Sequence, residues 1–383
     1  MQLPKNIRYI GVYAPEVNIF ENQYPVCGMT YNSYVIMDEK VVVMDTADAC
    51  VTDRWMDNLK AALEGRKADY LVVSHMEPDH AANIGRLIEL FPDITIVCSA
   101  KAQVFISQFY NQQTADKCQV VKEGDTLSTG SMTLKFIMAP MVHWPEVMVT
   151  YVPECRLLFS ADAFGRFGDN DESSAWTDEA RRYYFNICGK YGNPVSTLLR
   201  KAAALDIQTI CPLHGPVLTE HLEQYVTLYQ TWSQYKAETD GLLVAYASIH
   251  GNTARIVNSM LRDMLHEAGI EAHYVDLTRT SVSEAIAQAF RYPKVLLAAC
   301  SYDAGLFPPM EDFLMHLRAK GYCNRVVGLV ENGSWAPSAG KTMRALLEQM
   351  KDVSIVDPMV TIKSTLSAES EAQLRLLVQA LKA

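Results

Sequence analysis

The sequence lacks any Cys-x-x-Cys pair, although it has nine cysteines, at positions 27, 50, 98, 118, 155, 188, 211, 300 and 323. An odd, scattered set gives no disulfide framework, no thiolate zinc site and no iron–sulfur cluster, and fits a reducing cytoplasm. Long hydrophobic runs are missing too. No stretch approaches the ~18 apolar residues needed to span a bilayer, which excludes an integral membrane protein of the helical kind. The start, Met1-Gln-Leu-Pro-Lys5, has no charged segment followed by an apolar one, so no secretion signal is expected. Positive charge is in deficit: 34 Lys and Arg against 44 Asp and Glu leave −10, which argues against electrostatically driven nucleic-acid binding. Low-complexity segments and short internal repeats are also absent.

What is present is a well-packed composition, 49 % apolar and 20 % charged, over 383 residues. That length predicts two domains, and the chain has two rhythms. Up to about residue 238, short strands mix with helices. Ser33–Met37, a turn at Asp38–Lys40 and Val41–Asp45 read as a β-hairpin. Apolar runs follow at Tyr70–Ser74, Ile94–Cys98, Leu134–Ala139, Val147–Val152 and Leu157–Ser160, with helical spacing at Asn83–Phe91 and Lys101–Tyr110. Many short strands with few crossover helices predict stacked sheets in an α+β fold. From residue 239 the rhythm changes to five β-α repeats. Their strands are Leu242–Ala247, Glu271–Val275, Lys294–Cys300, Arg325–Glu331 and Val353–Val356, and the last helix runs from about Ala368 to Leu381. This predicts a doubly wound parallel sheet. The short polar stretch Lys236–Asp240 is the expected junction, giving domains 1–238 and 239–383.

The first strand-end cluster is His75-Met-Glu77-Pro-Asp79-His80, directly after the run Tyr70–Ser74. Positions 75, 77 and 79 would project to one side if the loop were extended. Single candidates follow other runs: His143 after Leu134–Ala139, Asp162 after Leu157–Ser160 and His214 after the run ending at Cys211. Imidazoles and carboxylates without thiolate point to iron, zinc or manganese. Two such ions about 3.5–4 Å apart need a shared carboxylate, and Asp162 is the natural bridge.

A second cluster opens the repeat region. Leu242–Ala247 ends in Ser248-Ile249-His250-Gly251-Asn252-Thr253, and helical spacing begins at once. Hydroxyls, a glycine and free N–H groups at a helix start favour a phosphate. Two further strand ends, Ser301-Tyr302-Asp303-Ala304-Gly305 and Asn332-Gly333-Ser334-Trp335, lie where such sheets hold a ring system, with Tyr302 and Trp335 as candidate flanking aromatics. The loop resembles the flavodoxin fingerprint rather than Gly-x-Gly-x-x-Gly, which implies FMN.

His-x-Glu-x-Asp-His with later His, Asp and His resembles the metallo-β-lactamase fold in the variant carried by flavodiiron proteins, where Glu77 stands in place of the hydrolases' second histidine. The resemblance spans essentially the whole chain. It implies an α+β metallo-β-lactamase-like αββα sandwich followed by an α/β flavodoxin-like five-stranded sheet. It also implies two non-haem irons and an FMN per chain, with one iron on His75, Glu77 and His143, the other on Asp79, His80 and His214, and Asp162 between them. Tyr183 and Tyr184 match a family tyrosine region near the irons, and either could face them. The implied activity is reduction of O2 to water, of NO to N2O, or both, by a cytoplasmic head-to-tail homodimer or dimer of dimers. No fused rubredoxin-like module is expected, so electrons would come from a separate rubredoxin-like protein or a reduced deazaflavin. Two other readings stand beside it: a dizinc hydrolase with a regulatory flavodoxin domain, which Glu77 argues against, and a non-enzymatic flavin electron carrier.

Overall fold

A computed structural model describes residues 3–171 and 176–382. The chain divides into two compact units, Met1–Gln230 and Thr231–Ala383.

In the first unit the predicted hairpin forms from Tyr34–Met37 and Val41–Met44, paired antiparallel. It sits in a six-stranded sheet in the order Ile7–Tyr9, Tyr34–Met37, Val41–Met44, Tyr70–Val72, Thr95–Ser99, Cys118–Val121. The last four of these run parallel. A second sheet orders Thr126–Ser128, Thr133–Met138, Met148–Val152, Leu157–Phe159 and Thr209–Cys211, antiparallel except for its final pair.

The side-chain period of two explains why unbroken apolar strands suit this arrangement. In Val41–Met44 every residue is buried. Val42 and Met44 enter the core between the sheets, with Val72, Val97, Phe136, Met148 and Phe159. Val41 and Val43 point the other way, into a core shared with Trp55 and Leu59 of the helix Thr52–Leu63, Leu87 of Ile84–Leu90 and Ile106 of Ala100–Phe109. The helix Gly192–Ala202 follows the fourth strand of the second sheet and is tied to that sheet by Lys201, which donates to the Met138 carbonyl at 2.7 Å. Helix, sheet, sheet, helix is the expected αββα layering, and its loops gather at the strand ends.

The second unit is a parallel sheet in the order Ala272–Asp276, Leu242–Ala247, Lys294–Tyr302, Arg325–Asn332, Val353–Ile355. In chain order this is 2-1-3-4-5, the flavodoxin-like arrangement. Two details depart from the expected strands. The fifth is split, because Val360–Ile362 pairs with the far end of Arg325–Asn332. The third runs on to Tyr302 and folds back through Asp303 and Ala304, both at positive φ, to pair with Gly305–Leu306.

Candidate metal centre and cofactor loop

The strand ends deliver every predicted ligand-type residue of the first unit to one place. His75, Glu77, His143 and Asp162 form one group, and Asp79, His80 and His214 form another, the ligand-type atoms within each lying within 4.8 Å of one another. The loop is not extended throughout, as the sequence spacing suggested. His75 and Glu77 precede a single helical turn, Pro78–Ala81, which carries Asp79 and His80. Proline at its first position ends the extended stretch. The turn therefore directs Asp79 and His80 to the second group while His75 and Glu77 serve the first.

Distances make Asp162 the hinge of the site. Its Oδ2 is 3.1 Å from His75 Nε2 and 3.4 Å from His143 Nε2. Its Oδ1 is 3.4 Å from His80 Nε2 and 3.8 Å from His214 Nε2. Glu77 Oε2 stands 3.1 Å from His75 Nε2 and 3.0 Å from His143 Nε2. Asp79 Oδ2 stands 3.3 Å from His80 Nε2 and 3.1 Å from His214 Nε2. Despite this crowding, neither Asp162 oxygen, nor Asp79 Oδ1, nor His143 Nε2 has a hydrogen-bond partner of good geometry among the described residues. Buried polar atoms left unpartnered in this way call for a partner such as an ion.

The imidazole tautomers agree. His214 Nδ1 meets the Thr30 carbonyl at 2.5 Å, which can only accept, so the proton is on Nδ1 and the Nε2 lone pair faces the site. His75 Nδ1 donates to the carboxylate oxygen Glu146 Oε1 at 2.8 Å, which leaves Nε2 as the ring nitrogen turned to the site.

Electrostatics tie the groups together in the metal-free protein. Burial opposes charge on Asp162, yet His75, His143 and His80 hold its carboxyl well below the usual range. Burial likewise disfavours the charged Glu77, but His143 and His75 bring it down to about 2. His143 goes the other way, up to about 9, because Asp162 and Glu77 outweigh its burial. Buried carboxylates balanced by imidazolium could exchange those protons for a cation.

The geometry decides between the two tyrosines. Tyr183 has its ring centroid 5.6 Å from that of His214 and feels the charges of Asp162, Asp79 and Glu77. Tyr184 packs among Phe185 and Tyr229. Several supporting residues carry no sequence signal. Glu146 orients His75. Asp45 accepts the Ser74 N–H at 2.6 Å and thereby fixes the strand end before His75. Asn32 donates to both Pro212 O (2.9 Å) and Gly215 O (2.8 Å), flanking His214. Their partners are far away in sequence, so spacing could not reveal them.

In the second unit, Ser248–Gly251 connect the first strand to a helix starting at Asn252. The turns Asn252–Ile256, Val257–Leu261 and Arg262–Glu267 follow one another without a break, the middle one wider than an α-helix. Gly251 is its N-cap at φ +85, and no side chain caps the first turn. Uncapped N–H groups and an open glycine corner form a cradle for an anion. Thr253 is buried, and its hydroxyl is 3.4 Å from Asn332 Nδ2. Asn332 Oδ1 in turn accepts the Ser364 N–H at 2.9 Å. This links the first predicted loop to the third. Ser334 Oγ reaches Ser364 Oγ at 2.7 Å. Ser301 Oγ is occupied locally, accepting from Ser338 N at 2.8 Å. Tyr302 and Trp335 are exposed, Trp335 at 92 %. Ile249 is exposed on the first loop as well.

Fold and site together define a metallo-β-lactamase-like unit with a paired ligand cluster, followed in the chain by a flavodoxin-like unit. The model of the ODP family beta lactamase matches residues 29–215. The nitric oxide reductase of Moorella thermoacetica is 30 % identical over 348 residues, covering 88 % of this chain and 86 % of that protein. Among solved structures, the rubredoxin oxygen:oxidoreductase of the anaerobe Desulfovibrio gigas superposes with a TM-score of 0.91 at 22 % identity, covering 100 % of this chain and 97 % of that one. The flavodiiron protein of Giardia intestinalis gives 0.90 at 24 % identity, with 100 % and 95 % covered. The chain belongs to the flavodiiron protein family.

Proposed function

We propose that this chain reduces O2 to water, NO to N2O, or both, at a non-haem diiron centre in its first unit, with electrons delivered through FMN held by its second. The observation that carries the reading is Asp162, whose two oxygens each face a different histidine–carboxylate group. Under this assignment His75, Glu77 and His143 hold one iron, Asp79, His80 and His214 the other, and Asp162 joins them. Glu77 supplies a hard oxygen where the fold's hydrolases place a nitrogen, which favours iron over zinc. Two ferrous ions, when bound, supply electrons to a diatomic substrate at adjacent positions, and FMN supplies them singly or in pairs.

The chain's own residues do the rest. The imidazoles present lone pairs because Thr30 O and Glu146 hold their Nδ1 protons. Tyr183, buried against His214, would place a phenol ring beside the site, a side chain able to donate a hydrogen bond. In the second unit, the open N–H groups from Gly251 onward and the Thr253 hydroxyl would take the flavin phosphate. Ser248, His250 and Asn252 border that cradle, while Tyr302 to Gly305 and Asn332 to Trp335 would flank the ring. The proposed working form is a head-to-tail homodimer supplied by an external donor of the rubredoxin or reduced-deazaflavin type.

The test is direct. Purified protein should carry about two irons and one FMN per chain. Side-by-side anaerobic assays with one chemically reduced donor should show consumption of O2, NO or both. Iron-free protein with full activity would overturn the reading.

A further inference from the structure

We propose that Glu146 makes the two halves of the metal centre unequal, so that the position framed by His75, Glu77 and His143 binds its ion more tightly and fills first. The inference rests on the diiron reading and concerns a residue outside that ligand set. Glu146 lies in the loop between the strands Thr133–Met138 and Met148–Val152, and its side chain is fully buried. Its Oε1 accepts two hydrogen bonds, from His75 Nδ1 at 2.8 Å and from the Met76 N–H at 2.9 Å. Its Oε2 has no hydrogen-bond partner among the described residues. The backbone behind it is pinned as well: its carbonyl accepts the Ser99 hydroxyl at 2.7 Å, and that same hydroxyl caps the helix Ala100–Phe109.

A buried carboxylate with one oxygen unpartnered is costly unless positive charge lies close by. The ring it holds is that of His75. An ion on His75 Nε2 would make its Nδ1–H a stronger donor to Glu146, and Glu146 would in return make the ring a better ligand. The second half has no such arrangement. His214 gives its Nδ1–H to a neutral carbonyl, and His80 Nδ1 has no partner among the described residues. Asp162 is shared, so it does not separate the halves. That leaves Glu77, with Glu146 behind its neighbour His75, on one side and Asp79 on the other. Glu146 is thus a positioning residue whose charge, as well as its geometry, acts through His75.

The experiment is an anaerobic titration of the metal-free, full-length protein with Co(II), read by its ligand-field absorption, and repeated with Fe(II). Wild type should bind in two resolved steps, with His143→Ala removing the tight step and His214→Ala the weak one. In Glu146→Gln the amide oxygen can still accept both hydrogen bonds, but the charge is gone. The tight step should weaken by about 10–100-fold while the weak step stays put. Glu146→Ala, which also loses the orientation, should weaken it at least as much; if its melting shows misfolding, Glu146→Gln decides alone. An unchanged tight step in Glu146→Gln, or loss of the weak step in His143→Ala, would overturn the proposal. Wild type that takes up neither ion would overturn the diiron reading itself, a different and distinguishable result.

Discussion

His80 and His214 face one another Nε2 to Nε2 at 3.0 Å, both rings buried. The His214 proton is on the opposite nitrogen, held by Thr30, so its lone pair points at His80. Two imidazole nitrogens so placed need a proton or a cation between them. The expected outcome is that His214→Ala loses one of two metals per chain, whereas Asp162→Ala loses both. Metal analysis of protein purified with its flavin checks this. Flavin should stay bound in both variants, since the cradle around Gly251 belongs to the other unit. Flavin loss with metal retained would show the two units to be assigned the wrong way round.

Much of this site was legible because it follows a rule of sheet proteins: functional side chains collect at strand ends. His75, His143, Asp162 and His214 each follow a short apolar run, and the runs before His143, Asp162 and His214 point the same way in the second sheet. The rule says which residues meet but not how they are supported. Glu146 is 71 positions from His75, and the Thr30 carbonyl is 184 positions from His214, so no local pattern contains either pair. The helical turn at Pro78–Ala81 is a milder case, where proline signalled the turn but alternation of 75, 77 and 79 pointed elsewhere. In the second unit, the hairpin at Asp303 and Ala304 requires positive φ at an alanine, which composition does not announce.

The metal-free protein should have a characteristic stability profile. His143 has its pKa raised from 6.5 to about 9 on folding, so its contribution is complete below pH 6.5 and is lost as pH rises through 9. Glu77 has its pKa lowered from 4.5 to about 2, so its contribution is complete above pH 4.5 and is lost as pH falls towards 2. The contribution of this pair to the melting temperature of metal-free protein should therefore be greatest between about pH 4.5 and 6.5 and decline towards pH 9. Metal-loaded protein should not show the alkaline fall, because bound imidazole is already neutral. Calorimetry of both forms across this range is the measurement.

Asn32 carries the loop that presents His214. Its Nδ2 holds Pro212 O and Gly215 O, its N–H holds Leu213 O at 2.8 Å, and its Oδ1 accepts from Tyr9 Oη at 2.8 Å. Asn32→Ala leaves two buried carbonyls unpaired, a loss of about 2 kcal/mol. Amide exchange at Leu213 to Gly215 should then accelerate roughly 30-fold, as local opening becomes easier by that amount. Exchange in the second unit should not change.

The proposed flavin cradle is open to a test that leaves the proposed metal site untouched. An added Cβ at Gly251 would meet nothing within 4 Å, so space is not what requires glycine there. Its backbone conformation is, since φ is +85. Gly251→Val should strain that corner by about 1–2 kcal/mol and turn the following N–H groups away from the phosphate position. If the loss falls on the bound state, the flavin dissociation constant rises by about tenfold or more. Fluorescence titration with FMN checks it, alongside metal content, which should match wild type. Substituting Thr253→Val, which keeps the backbone but removes the hydroxyl that meets Asn332, should weaken flavin binding less. The order of the two variants separates backbone N–H recognition from side-chain recognition at this helix start.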